Sequence, residues 1–303
     1  GCGFTSSNPA GEQMLRIQNE YTDLRTGQIK MSNVRAEIVG SDLIQEYCRT
    51  NSLQKLIDLP STTFNKLKFT QKMGATAANG EIVRKLDMED YNFRVSFQTE
   101  QDFHMQTNFA RNILSKWNDS KKMFRCMNRV RFMHPDYPVF VDLSIVKMSK
   151  RLNNVPVPHY TVQEADVFNG IEMYEIELEV DNTRVGAGTE YTTAKQLMVA
   201  LRKCIRIVLS GLQETNYPIS YPERDTILRS YLRLIHGPEY NVGRRIYPKD
   251  FMGPGSYTLQ MENVQDDENN ETNIPNIRNQ YTVTDKADGE RKLMYISEDG
   301  KII

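Results

Sequence analysis

The sequence predicts an α+β fold: an antiparallel β-barrel with flanking helices over most of the chain, followed by the start of a second domain. Three observations carry this. Short runs of alternating apolar and polar residues recur over the first 180 positions, the period-2 pattern of strands with one buried face. Several of these runs hold basic residues on one face and another holds acidic residues, as strands of one barrel would if those faces turned inward. After residue 236, Gly and Pro interrupt every run, which places a domain boundary near 237.

Length and composition bound the rest. The chain has 303 residues, 39% hydrophobic and 25% charged, enough for a sizeable core and for more than one domain. A net charge of -1 argues against a uniformly basic surface, so any phosphate-binding surface must come from local clustering. Cys2, Cys48, Cys126 and Cys204 are far apart with no C-x-x-C spacing, which indicates neither a zinc site nor a disulfide framework and makes a reducing compartment the simpler expectation. No apolar run approaches the roughly 18 residues of a membrane span, and no membrane partner is expected. The chain begins Gly-Cys-Gly and stops at Ile303 within a strand-like pattern, so it is expected to be a piece of a larger protein.

In order, residues 14–18 and 33–38 alternate as strands joined by a turn at Thr26-Gly27. Ser41-Asp42 caps a helix whose stripe is Leu43, Ile44 and Tyr47. Residues 67–73 and 93–100 are further strands, with Phe93, Val95 and Phe97 on one face of the second and Arg94 on the other. A helix over 108–117 precedes a strand over 121–132, where Arg125, Arg129 and Arg131 share a parity and hence a face. Residues 139–148 form the next strand, with Asp142, Ser144 and Lys147 as its polar positions. A short helix near 162–167, a strand over 174–180 and helices over about 193–214 and 223–235 complete the first domain, 1–236, and 237–303 is the second.

The strand over 174–180 places Glu175, Glu177 and Glu179 on one face, about 6.5 to 7 Å apart. At an effective dielectric of about 20, each adjacent pair repels by roughly 2 kcal/mol. Water on an exposed sheet is one compensation. The matching arginine faces suggest another: a barrel interior with carboxylates for a hard divalent cation opposite a basic wall for polyphosphate.

The second constellation is Lys286-Ala-Asp-Gly-Glu-Arg291, read as a strand from Tyr281, a turn at Asp288-Gly289 and a strand from Arg291 to Ile296. Its four specified positions should coincide by chance in well under about 1% of chains this long. For Lys286 to act as a nucleophile, its amine must be brought from a pKa near 10 to about 7.5, which takes roughly 3 to 4 kcal/mol of desolvation and neighbouring positive charge.

Lys-x-Asp-Gly-x-Arg resembles the nucleotidyl-lysine motif of the covalent nucleotidyltransferases, the superfamily of mRNA capping guanylyltransferases and polynucleotide ligases. The resemblance implies that Lys286 attacks the α-phosphate of GTP and that Arg291 contacts the bound nucleotide. Over roughly residues 14–236 the chain resembles the triphosphate tunnel RNA 5′-triphosphatase domain of large DNA virus capping enzymes. There Arg94, Arg129, Arg131 and Lys147 would bind phosphate, Asp142 and Ser144 would line the tunnel, and Glu175, Glu177 and Glu179 would hold Mg2+ or Mn2+. The implied partners are 5′-triphosphate RNA and GTP, and the implied location is a virion or the host cytoplasm. The family's first Glu-x-Glu strand is not found: Glu37 has no acidic partner two residues away. That strand is expected upstream of Gly1, and the remaining nucleotidyltransferase motifs beyond Ile303, so that residues 1–303 alone are expected to be inactive. A ligase fragment and a polyphosphate-binding or RNA-binding module without catalysis are the competing readings.

Overall fold

The computed structural model describes residues 3–153, 155–240, 247, 250–253, 258–265, 276–278, 280, 282–285, 288, 289 and 292–301. The chain divides into two compact units. One comprises residues 1–88 and 93–218, the other residues 89–92 and 219–303, so the division falls ahead of the last long helix rather than after it.

The first unit is built on seven antiparallel strands. They are β1 (Glu12–Thr22), β2 (Ile29–Val39), β3 (Leu67–Gly74), β6 (Gln98–Phe103), β7 (Lys122–Met133), β8 (Val139–Met148) and β11 (Met173–Val180). Their order in the sheet is β11-β8-β7-β1-β2-β3-β6. Two further pairs stand apart: β4 (Leu86–Met88) with β5 (Phe93–Val95), and β9 (Arg151–Leu152) with β10 (Val155–Pro156). The sheet curls as a half-barrel, and among the described residues β11 and β6 remain its edges. The expected barrel is therefore realised as an open curled sheet. The strand expected over 93–100 is broken, because Ser96-Phe97 separates β5 from β6.

Strict alternation decides what each face of the sheet does. Leu15 and Ile17 of β1 lie in register with Ile38 and Ala36 of β2, which pair with Leu67 and Phe69 of β3. On the other side, Ile17 pairs with Phe124 of β7. These side chains form the main core. The core is covered by α1 (Ser41–Thr50), α2 (Leu53–Ile57), α3 (Asn108–Leu114) and α4 (Val162–Ala165), which contribute Leu43, Ile44, Tyr47, Leu53, Leu56, Ala110, Val162 and Ala165. Burying each large apolar side chain stabilises by about 1.5–3 kcal/mol. The helices occupy this face alone because each presents one apolar stripe. The opposite face of the sheet carries mostly charged and polar residues around one buried apolar row.

The long helix α5 (Ala194–Gln213) begins at Thr193, whose hydroxyl accepts from the Gln196 amide while the Gln196 side chain accepts from the Thr193 amide. This capping box satisfies two amides that the first helical turn leaves unbonded. In the second unit, α6 (Tyr221–His236) is capped by Ser220. Tyr231 of α6 stacks on Phe251 and meets Tyr295 edge-on, and the Ser230 and Tyr295 hydroxyls are 2.7 Å apart.

One core residue is a lysine. Lys122 is 1% exposed. Its ammonium donates to the carbonyl oxygens of Ser120 at 2.7 Å and Tyr160 at 3.2 Å and lies 5.4 Å from the centre of the Trp117 ring. Burial lowers its pKa to about 8, with Asp119 and Glu164 opposing. An unfolded lysine titrates near 10.4. Between about pH 8 and pH 10.4 the unfolded chain holds a proton that the folded chain has released, so this group's contribution to stability rises with pH across that window. In urea melts of the wild type and Lys122→Met, the stability difference should shift in favour of the wild type by up to about 3 kcal/mol between pH 7.5 and 10.5. Parallel pH profiles would contradict the assignment.

Candidate functional site

The face of the sheet turned away from the helices is charged. In register across it stand Glu12, Arg129 and Ser144 with Glu175, then Arg131 and Asp142 with Glu177, then Met133 and Phe140 with Glu179. Because β8 lies between β7 and β11, the arginines and glutamates are separated by two strand spacings, about 9.6 Å. Only side chains as long as Arg and Glu close that gap.

They close it one for one. Arg125 pairs with Glu175, Arg129 Nη2 lies 2.6 Å from Glu177 Oε2, and Arg131 Nη2 lies 2.8 Å from Glu179 Oε2. The repulsion expected along β11 is thus answered by a ladder of guanidinium groups. Beneath it lies Asp142, 1% exposed. Its two oxygens accept from Arg131 Nε and Nη2, both at 2.7 Å, and Arg129 Nη1 approaches Oδ2 to 3.1 Å. Arg129 Nε also donates to the Ser144 hydroxyl at 3.2 Å, and the Arg131 guanidinium lies 4.5 Å from the centre of the Phe140 ring. The hydrogen bond to Asp142, together with Asp142 and Glu179 charge, raises the pKa of Arg131 despite its partial burial.

A second charged cluster covers β1, β2, β3 and β6. Glu37 receives Arg16 Nε at 2.9 Å and Arg35 Nε at 2.6 Å, and Arg35 continues to Glu100 at 3.2 Å. Lys68 and Thr70 both bond to Asp102. The Arg16 Nε–H, although close to Glu37, makes no hydrogen bond. Burial lowers the Arg16 pKa, Glu37 raises it, and Arg35 and Arg129 lower it further. A half-buried guanidinium disfavoured in this way gains most from an added anion. Between the two clusters, Val39, Met14, Met127, Val146 and Met173 run across the sheet as an apolar row.

The structure brings together Arg129, Arg131, Asp142, Ser144, Glu175, Glu177 and Glu179. It does not bring Arg94 or Lys147 to them. Arg94 sits on the separate β4–β5 pair, exposed and bound to Asp87 at 2.5 Å. Lys147 is opposite in parity to Asp142 and Ser144, so it points to the other face of β8, where it meets Glu172 at 3.3 Å and the Phe168 carbonyl at 3.0 Å. Lys286 and Arg291 lie outside the described residues. Of the hairpin expected around them, residues 282–285 and 292–295 carry no strand, and Ile296 is a single bridge position.

Sequence reasoning missed Glu12, Arg16, Arg35, Glu37, Glu100 and Asp102. Their signal was available: in Leu15-Arg16-Ile17 and Arg35-Ala36-Glu37 the apolar and charged residues alternate with the same period that identified β11. The β11 carboxylates are hard oxygen donors of the kind divalent cations take. As arranged, however, each is committed to an arginine, and among the described residues no three acidic, His or Cys side chains converge on one point. No family profile, curated protein or solved structure matches this chain.

Asp142 holds two guanidinium groups and is shielded from water, so its removal leaves charge uncompensated. Asp142→Ala should lower stability by about 3 kcal/mol, a fall in Tm of roughly 6–12 °C for a unit of this size. A thermal melt within 2 °C of the wild type would show that the arginines are held by other means.

Proposed function

We propose that the charged face binds the 5′-triphosphate end of an RNA, and that a longer form of the chain, carrying the further acidic strand and nucleotidyltransferase motifs that the resemblance requires, carries out the first steps of mRNA cap formation. One observation supports this above the rest: three β7 arginines and three β11 glutamates share a single face over a buried aspartate. Guanidinium groups are suited to bidentate contact with phosphate oxygens. Asp142 presents Arg129 and Arg131 in fixed orientation, and phosphate oxygens would compete with the glutamates for their outward N–H groups.

In the proposed first reaction, water attacks the γ-phosphorus and the bond from that phosphorus to the β–γ bridging oxygen breaks. Inorganic phosphate leaves a 5′-diphosphate RNA. Mg2+ or Mn2+ belongs to the proposal on the donor chemistry of Glu175, Glu177 and Glu179. In the second, the neutral Lys286 amine attacks the α-phosphorus of GTP, a P–N bond forms and pyrophosphate departs. The terminal oxygen of the 5′-diphosphate RNA then displaces the lysine. Arg291 is proposed to hold the nucleotide. A second reading, a polyphosphate-binding module without turnover, is favoured by the commitment of every β11 glutamate to an arginine.

Two measurements on a longer form of the chain, extended at both ends, test these steps, and residues 1–303 alone are expected to show neither activity. With RNA labelled at the γ-phosphate and a divalent metal, Arg129→Ala should reduce phosphate release by about 10²-fold or more, and Glu177→Ala should abolish it. Turnover unchanged in both variants would remove the face from catalysis, and tight binding without release would favour the second reading. With α-labelled GTP, label retained on denatured protein should vanish in Lys286→Ala. Labelling that persists in that variant would show that another residue is the nucleophile.

A further inference from the structure

The exposed side of α5 is chemically unlike the rest of the surface. Between Thr193 and Glu214 there is no acidic residue, while Lys195, Arg202, Lys203 and Arg206 are all present and exposed. At about 100° per residue these four fall within an arc of roughly 100°, with the buried Cys204 on the far side of the helix, and they extend over about 16 Å of helix. Among the described residues none of the four is in an ion pair, whereas the basic side chains of the sheet face are joined to carboxylates. A stripe of unneutralised like charge is costly to keep bare and is relieved by a polyanion.

Aromatic rings accompany the charges. The Lys203 ammonium lies 5.8 Å from the centre of the Tyr137 ring, and the Arg206 guanidinium 5.8 Å from that of Tyr217. Beside the stripe, Tyr137 and Tyr191 join Lys195 and Lys203 around a cleft of about 380 Å³. Its wall is held firmly. Arg184 donates to the carbonyl oxygens of His134, Pro135 and Tyr137, and the Tyr191 hydroxyl donates to that of Asp136. The nearby Glu190 is neutralised by Arg184 at 2.8 Å.

Basic groups in a line with flanking aromatic faces are what a flexible phosphate backbone with unstacked bases requires. We propose that α5 and the turn between β7 and β8 form a docking surface for single-stranded RNA, engaging its backbone through Lys195, Arg202, Lys203 and Arg206 and its bases through Tyr137 and Tyr217. The choice of RNA rests on the function proposed above. None of these residues belongs to the charged sheet face, and the surface reads the body of the strand rather than its 5′ end.

The test uses the full chain and a fluorescein-labelled 20-nucleotide single strand with a 5′-hydroxyl, which has no triphosphate to offer the sheet face. Anisotropy is read from 50 to 300 mM salt. In Lys195→Ala/Arg202→Ala/Arg206→Ala, affinity at 100 mM salt should fall at least about tenfold, and the slope of log K against log salt should shallow by about 2. Tyr217→Ala, at an exposed position, should weaken binding several-fold with the slope unchanged. Arg202→Glu, checked by thermal melting for an intact fold, should weaken it further than Arg202→Ala. Unchanged affinity and slope in these variants would overturn the proposal, as would equal affinity for heparin, which offers charge without bases. Inorganic tripolyphosphate binding by the unmodified chain reads the sheet face separately. Tripolyphosphate binding without RNA binding defeats this inference alone, and RNA binding without tripolyphosphate binding defeats the triphosphate reading alone.

Discussion

Asp142 is bonded to the guanidinium of Arg131 through both of its oxygens, approached by that of Arg129, and almost wholly removed from water. A buried carboxylate between two arginines is stable only while both remain. The two arginines are in turn held where they can span β8 to the glutamates of β11. Alternation then does the rest: once Asp142 faces this side of β8, Ser144 and Val146 must follow, and every second residue of β7 and β11 is placed opposite them.

This arrangement leaves a face dense in charge but largely neutralised within itself. The pairs from β7 to β11 are open to water at their glutamate ends, and such pairs contribute only about 0–1 kcal/mol each to stability, whereas Glu37 is almost as buried as Asp142. The β7 to β11 pairs are correspondingly cheap to exchange for a ligand's oxygens. The buried Asp142 pairing is not, which separates a fixed base from an exchangeable outer layer. The apolar row through Met14, Met127 and Val146 runs between the cluster around Glu37 and Arg35 and that around Asp142, and the Arg125–Glu175 pair crosses it.

Much of this was legible in the sequence because a period of 2 is hard to imitate. The strands β7, β8 and β11 and the shared face of Arg129, Arg131, Asp142, Glu175, Glu177 and Glu179 all follow from parity. Two site residues did not follow. Lys147 was included on charge although its parity excludes it, and Arg94 was placed on a long strand that Ser96-Phe97 interrupts. The contribution of β1, β2, β3 and β6 was missed because their charged residues are mixed in sign. Arg35 and Glu37 do not announce a common surface until register sets them beside Arg16 and Lys68. Closure of a barrel was expected from complementary faces, yet complementarity is met within the open sheet, by pairs reaching across β8.

The central claim, that this face is a site for a chain of phosphates anchored on the β7 arginines, is tested most directly by calorimetric titration of inorganic tripolyphosphate. The wild-type chain and Arg129→Ala/Arg131→Ala would be compared at low and moderate salt. The account predicts stoichiometric, salt-sensitive binding to the wild type and a loss of about 100-fold or more in the double variant. Equal affinity in the two proteins, or no binding to the wild type at low salt, would contradict it.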